Sequence, residues 1–292
     1  MKRIDGKKIS NDILEEIRQR VNHHTAAGKR PPHLVAILVG EDPASQTYVG
    51  AKMKACEKVG IQSATEQYPK DLSEARLLDR LREINNAPAI DGVIVQLPLP
   101  GHIEERKVIE AVTPEKDVDG FHPVNMGRLA QGLDTFAPAT PAGIQQLLIR
   151  SGIATEGYHA VVVGRSTTVG TPAALLLSRN QPGGNATVTL CHSRTPNLQQ
   201  HTQQADILIA AAGKPQLIGP DHLKPGAVVI DVGIHRQPDS SKKRGYRLVG
   251  DVDYEAVKAR VDAITPVPGG VGPMTIAMLL QNTLKAYENR HG

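Results

Sequence analysis

The chain has 292 residues, enough to bury two cores rather than one. Aromatic residues make up only 3%, with no tryptophan, so the interior must be built from Val, Ile, Leu and Ala, as in parallel sheets covered by helices. The formal charge of +4 and a pI near 9.0 come from scattered charges without a basic, aromatic-lined stripe, which excludes a nucleic-acid module and suits small anionic ligands.

Two cysteines, Cys56 and Cys191, cannot form a disulfide framework and indicate a reducing compartment. The N-terminal charges are followed by no apolar signal region, and no apolar run approaches the roughly 20 residues of a membrane span. A soluble, cytoplasmic protein is expected, with no membrane partner. No His/Cys/Asp cluster has ligand spacing, so no metal is expected.

A first helix is predicted over residues 10–27, then a buried strand over 34–39. Asp42 is a natural N-cap for the next helix, Pro43 fits its first position, and Gly60 closes it. On that helix Tyr48, Lys52, Ala55 and Val59 share one face, while Lys54, Glu57 and Lys58 point elsewhere. Lys52 therefore lies in a largely uncharged stripe. It reads either as a structural lysine whose stem packs on apolar surface or as a proton shuttle, because partial burial disfavours the ammonium form.

A strand over 63–67, a helix over 73–85 and a strand over 92–97 complete a βαβαβ series. Gln96 sits at the carboxyl edge of that last strand, where functional side chains gather in open α/β sheets. It serves there as a cap for backbone groups or as a ligand-directed amide. Asp117 and Asp119 stand beside Gly120 in Lys116-Asp117-Val118-Asp119-Gly120, where either carboxylate is also a plausible turn former.

A second series begins at residues 160–163 with Gly164-Arg165-Ser166-Thr167-Thr168-Val169-Gly170 behind it. Ser166 takes the middle position of the usual G-x-G-x-x-G turn, and the last glycine comes one residue late. A strand, a glycine turn and a helix from Pro172 still form a credible dinucleotide site. Strands follow at 186–190, 207–211 and 228–232.

The strand ending near Leu190 runs into Cys191-His192-Ser193-Arg194 with no acid to accept from a ribose 2′-hydroxyl. Arg165 and Ser193, with Arg194 as a helper, fit a 2′-phosphate instead, which selects NADP over NAD. The alternative is that both arginines are merely solvated. Residues 237–245 read as a solvated hairpin tip or flap.

Residues 266–273 hold three glycines and three prolines and run into a final helix predicted over 275–288. A rigid loop with open backbone donors at a helix start suits polar or anionic groups.

Asp42 to Cys56, Val95-Gln96-Leu97-Pro98-Leu99-Pro100, Lys116 to Gly120, Gly164-Arg165-Ser166 with Val169-Gly170, and Pro266 to Thr275 occur together and in order. In these five segments the chain resembles the bifunctional methylenetetrahydrofolate dehydrogenase/methenyltetrahydrofolate cyclohydrolase family. The resemblance implies an α/β protein of two domains, an N-terminal catalytic domain and a Rossmann-like NADP-binding domain, with the active-site cleft between them. The boundaries it implies are 1–139 with a returning helix 274–292, and 140–273.

The resemblance also implies Lys52 as catalytic lysine and Gln96 as its hydrogen-bond partner. Tyr48 would stack on the folate, and Asp119 would accept from the pterin edge. Pro268, Gly269 and Gly270 would complete the substrate site. Gly164, Arg165, Ser166, Val169, Gly170, Ser193, Ile234 and Thr275 would hold NADP. Tetrahydrofolate one-carbon derivatives are the implied ligands and a homodimer the implied assembly.

Two residues depart from the family pattern. Ala139 stands where many members carry cysteine, and His235 where asparagine is common. Rival readings fare worse on the residues. A serine-hydrolase elbow at Ser166 needs glycine where Thr168 stands. A shikimate-type NADP dehydrogenase leaves the Tyr48/Lys52 and Asp119 segments unexplained.

Overall fold

The computed structural model describes residues 1–242 and 245–291. The chain opens on a two-residue strand, β1 (Lys2–Arg3), and a long helix, α1 (Gly6–Ala26). There follow β2 (His33–Val39), α2 (Pro43–Val59), β3 (Gln62–Tyr68), α3 (Glu74–Asn86) and β4 (Gly92–Val95). Three helices come next: α4 (Glu105–Ala111), α5 (Pro123–Ala130) and α6 (Ala139–Arg150). The second series runs β5 (His159–Val163), α7 (Gly170–Ser178), β6 (Thr187–Cys191), α8 (Leu198–Thr202), β7 (Ile207–Ala210) and β8 (Val228–Asp231). It closes with β9 (His235–Pro238), β10 (Tyr246–Val249), α9 (Tyr254–Val257), β11 (Ala263–Ile264) and α10 (Val271–His291).

Two compact units emerge. One comprises Asn11–Ala139 with the C-terminal helix from Ile276; the other comprises Met1–Ser10 with Thr140–Thr275. The first holds a three-stranded parallel sheet ordered β3-β2-β4. The second holds a six-stranded parallel sheet ordered β1-β11-β8-β7-β5-β6. Residues 1–10 thus fall with the second unit rather than the first, because β1 pairs in parallel with β11. Neither two-residue strand has a periodicity that a sequence reading can detect.

Central strands β2, β5 and β7 are continuous β-branched or aliphatic runs and are buried on both faces. Val35, Ile37 and Val93 pack against Leu77, Leu81 and Ile84 of α3. In the other unit Val161, Val163, Leu208, Val229 and Ile264 form one face with Leu223 and Val257. β3 lies at an edge and is correspondingly polar. The hairpin expected near 237–245 exists as the antiparallel pair β9–β10; Lys243 and Arg244 lie outside the described residues. Among the described residues no helix is long and apolar enough to cross a membrane.

An ion pair between a buried carboxylate and a partly exposed arginine fixes the start of the three-stranded sheet. The Asp91 carboxylate, fully buried before β4, accepts from Arg30 at 2.7 and 2.8 Å and from the backbone N–H of His33 at 2.8 Å. Removing the arginine strands a buried charge, and Arg290 at 3.8 Å and His291 at 3.6 Å compensate only in part. Arg30→Met should therefore cost about 3 kcal/mol, the low end for breaking such a pair. Chemical denaturation checks this, and a midpoint unchanged from the parent would contradict it.

Candidate active site

Helix α2 is placed by its caps. Asp42 accepts from the Ser45 N–H at 2.7 Å, and the Gly60 N–H returns to Cys56 and Glu57 carbonyls in a left-handed C-cap. This fixes the rotation of the helix, so that Val49, Ala55, Cys56 and Val59 are buried while Lys54, Glu57 and Lys58 face solvent. Lys52 lies between these extremes, and its Nζ donates to Gln96 Oε1 at 3.1 Å. Tyr48, one turn earlier on the same face, is 48% exposed. Cys56, one turn later, is buried and its thiol is pushed up to about 12, which makes it inert.

Gln96 lies one residue beyond β4. Its N–H continues the ladder to the Ile37 carbonyl at 2.9 Å, and its side-chain Nε2 donates to the Leu97 carbonyl at 2.7 Å. The glutamine thus caps a neighbouring carbonyl and directs its oxygen at Lys52.

The Lys116–Gly120 segment separates its charges by task. Burial lowers Lys116 to about 8, and its Nζ donates to the Ile84 and Ala87 carbonyls at 2.6 Å each, closing the end of α3. Asp117, also buried, accepts from the N–H groups of Phe121 (3.3 Å) and His122 (2.8 Å) and from Asn125 Nδ2 (2.8 Å). It is a turn former. Asp119 is different: no hydrogen-bond donor among the described residues reaches its carboxylate. Burial raises it to about 6, the positive charge of Lys52 pulls it back, and Asp117 adds a smaller upward push.

In the other unit β5 ends at a turn that only glycine permits. Gly164 has φ of +124°, and a Cβ there would stand 2.0 Å from the Ala211 carbonyl oxygen. A Cβ at Gly170 would stand 1.9 Å from the Gly164 carbonyl oxygen. Ser166 Oγ accepts from the N–H groups of Val169 at 3.1 Å and Gly170 at 3.4 Å. The serine that replaces the middle glycine therefore closes the turn, and Val169 and Gly170 are its backbone partners. A nucleophilic role for Ser166 does not fit this engagement.

The turn borders a cavity of about 420 Å³ that Gly164, Arg165, Ser166, His192 and Ser193 help to line. Apolar walls come from Val163, Leu198, Ala211, Ala212 and Leu217. Lys214, which sequence reasoning missed, adds a second cation to that lining; it follows β7 in a loop without a recognisable signature. Arg194 does not line the cavity, and its N–H donates to His192 Nδ1 at 3.2 Å within the turn.

Ile234 follows β8 and is 44% exposed. His235 Nε2 lies 2.7 Å from Asp251 Oδ1, so the departure from the family's asparagine changes a local loop contact. Gly269 accepts from the Lys7 N–H at 3.1 Å, and with Pro268 and Gly270 it leads directly into α10. Thr275, in the first turns of α10, shares a 2.9 Å hydrogen bond with Thr140. Tyr48, Lys52, Gln96 and Asp119 belong to one unit; the remaining expected site residues belong to the other. No group of three or more potential metal ligands occurs among the described residues.

Two family models match the chain. The family model for the tetrahydrofolate dehydrogenase/cyclohydrolase catalytic domain matches residues 4–119, and that for its NAD(P)-binding domain matches residues 138–291. The bifunctional protein FolD of Cytophaga hutchinsonii is 56% identical over 98% of this chain and 99% of its own. The crystal structure of the bifunctional FolD dehydrogenase/cyclohydrolase from Campylobacter jejuni superposes with a TM-score of 0.93 at 45% identity, covering 99% of both chains. The Trypanosoma brucei dehydrogenase-cyclohydrolase, solved with NADP cofactor and an inhibitor, gives a TM-score of 0.92 at 38% identity over 98% of this chain and 97% of its own.

The raised Asp119 carboxyl has a measurable signature. Because its folded value of about 6 exceeds the ordinary carboxylate value of 3.8, the native state binds more protons between those limits, and the group's contribution to stability falls as pH rises through them. Asp119→Asn should flatten that part of the stability profile. Carbon-detected NMR should place the carboxyl near 6 in the parent and higher in Lys52→Met, since the lysine charge is then gone. A carboxyl titrating near 4 in both proteins would contradict the assignment.

Proposed function

This chain belongs to the tetrahydrofolate dehydrogenase/cyclohydrolase family, and we propose that it oxidises 5,10-methylenetetrahydrofolate with NADP⁺ and hydrolyses the 5,10-methenyl product to 10-formyltetrahydrofolate. The observation that carries the reading is the Lys52 amino group held by Gln96 at 3.1 Å, with the Asp119 carboxylate free of protein donors in the same unit. The folate half comprises residues 1–139 with helix 274–292, and the NADP half residues 140–273. The first ten residues, assigned here to the folate half, belong to the other compact unit through the pairing of β1 with β11.

Asp119, ionised, accepts from the amino group and ring nitrogen of the pterin, a donor–donor edge that a carboxylate matches. Tyr48 stacks on the ring system. Pro268, Gly269 and Gly270 supply backbone groups to the same ligand. The cofactor turn fits a dinucleotide: Gly164 and Gly170 admit close backbone approach, and Arg165, Ser193 and Lys214 line the adjacent cavity. Arg165 and Ser193 bind the 2′-phosphate; Ser166, Val169, Ile234 and Thr275 complete the cofactor contacts. Bound NADP⁺ supplies the hydride acceptor.

In the first step the one-carbon bridge loses a hydride while a ring-nitrogen lone pair takes up the vacated valence, so no strong base is needed. The protein's part is orientation. In the second, water adds to the amidinium carbon; Lys52, as the neutral amine, takes one of its protons and passes it to N5 as the carbon–N5 bond breaks, while the remaining hydroxyl proton leaves to solvent and the formyl carbonyl forms. Gln96 fixes the lysine and the water. The same reading makes the protein a cytoplasmic homodimer that needs neither nucleic acid nor membrane.

Lys52→Met keeps much of the side-chain length and deletes the amine. Cyclohydrolase activity should fall by about two to four orders of magnitude, the usual range for lost acid–base assistance. Dehydrogenase activity should fall less, so methenyltetrahydrofolate absorbance should rise with NADPH in a coupled assay. Lys54→Met, on the solvent face, is the control. An unchanged hydrolysis rate in the Lys52 variant would displace the catalytic centre.

Arg165→Ala should raise the KM for NADP⁺ and leave that for NAD⁺ nearly unchanged. Loss of one charge-assisted phosphate contact, about 1.5–3 kcal/mol, reduces the preference by about ten- to a hundredfold. Equal use of both cofactors by the unmutated protein would sink the assignment.

A further inference from the structure

We propose that Asn282 is a positioning residue for the folate site, acting by strapping the loop that carries Asp119; this rests on the reading of Asp119 as the pterin anchor. Asn282 lies on α10 and is buried, with 7% exposure. Its Nδ2 donates to the Val118 carbonyl at 2.9 Å and to the Ala137 carbonyl at 2.9 Å. Both amide protons are therefore spent, and they join two segments distant in sequence.

The Val118 carbonyl belongs to the peptide that enters Asp119. On the other side, Gly120 has φ of +75°, and a Cβ there would stand 2.7 Å from Pro138 N and 2.8 Å from the Ala137 carbonyl carbon. Both peptides flanking Asp119 are thus referenced to the Phe136–Pro138 segment, one through Asn282 and one by direct contact. The carboxylate itself has no protein donor among the described residues, so the placement of its main chain fixes where the side chain starts, and only the field of Lys52 acts on it beyond that. Asp117 pins the loop further along, at Phe121 and His122, and leaves the entering peptide to Asn282. A buried carbonyl without a donor is costly, so loss of Asn282 should move the peptide rather than leave it unpaired.

The test is a double-mutant cycle on the full chain: parent, Asn282→Ala, Asp119→Ala and the double variant. The readouts are KM for methylenetetrahydrofolate and for NADP⁺, kcat, and thermal midpoint. Asn282→Ala should raise the folate KM about tenfold, the effect of a displaced charge-assisted contact, with kcat changed less than about threefold and the NADP⁺ KM unchanged. In the Asp119→Ala background it should raise the folate KM no further, because residues acting through one another are not additive.

Thr283→Ala, which removes a buried hydroxyl hydrogen bond to the Leu279 carbonyl one residue along the same helix, should lower the thermal midpoint and leave the folate KM alone. A folate KM rise that persists in full without Asp119, or none at all in Asn282→Ala, overturns the strap. Normal folate affinity in Asp119→Ala overturns instead the pterin-anchor reading beneath it. Should Asn282→Ala fail to fold, Asn282→Ser retains one donor and runs the same cycle with a smaller expected rise.

Discussion

A single buried carboxylate organises the carboxyl edge of the six-stranded sheet. Asp231, at the end of β8, accepts from the N–H groups of Gly233 (3.0 Å), Asp251 (2.9 Å) and Val252 (3.1 Å). Its own N–H donates to Thr265 Oγ at 2.8 Å. Four contacts therefore tie β8, the chain returning from the β9–β10 hairpin, and the residue that precedes the Pro266–Pro273 loop. Burial pushes the carboxyl up to about 6, while the three backbone donors draw it down. A carboxylate held by main-chain donors fixes loops whose side chains then remain free. Ile234 emerges one residue beyond this node, and Pro266 one residue beyond Thr265.

The contrast between Asp231, Asp117 and Asp119 explains how one residue type serves both fold and chemistry. Asp231 and Asp117 each satisfy their oxygens with donors from nearby turns, so their charge is spent on holding a shape. Asp119, half-buried, has no such donors, and only the field of Lys52 offsets its desolvation. On the proposed reading its oxygens are left to a ligand.

Much of this was legible in the residues. The aliphatic runs at β2, β5, β7 and β8 and the caps at Asp42, Pro43 and Gly60 follow from local chemistry, and the structure places them within a residue or two of expectation. Other features were beyond reach for identifiable reasons. β1 and β11 are two residues each, too short for any period, so the attachment of the N-terminus to the second sheet was invisible. Lys214 sits in a loop that carries no pattern, and only the packing of β7 beside β5 brings it to the cavity. Ser166 looked like a defect in the glycine fingerprint, and the hydrogen bonds from Val169 and Gly170 show why the substitution is compatible with the turn. Asn282 is an unremarkable helix residue until its two carbonyl partners, more than a hundred positions upstream, are seen.

On the proposed roles of Lys52 and Asp119, their placement bears on how two reactions share one folate. Hydride departure asks only that the bridge carbon be oriented, whereas hydrolysis also asks for a proton carrier beside it. Asp119 is borne by a loop with main-chain anchors at both ends, and Lys52 by a helix whose only side-chain hydrogen bond at that position, among the described residues, is to Gln96. The rigid group suits binding, which both steps need alike. The long, singly tethered amine suits proton movement, which one step needs alone. Lysine on a helix and aspartate in a pinned loop are in this sense not interchangeable: reversing them would place the flexible group on the task that requires a fixed direction.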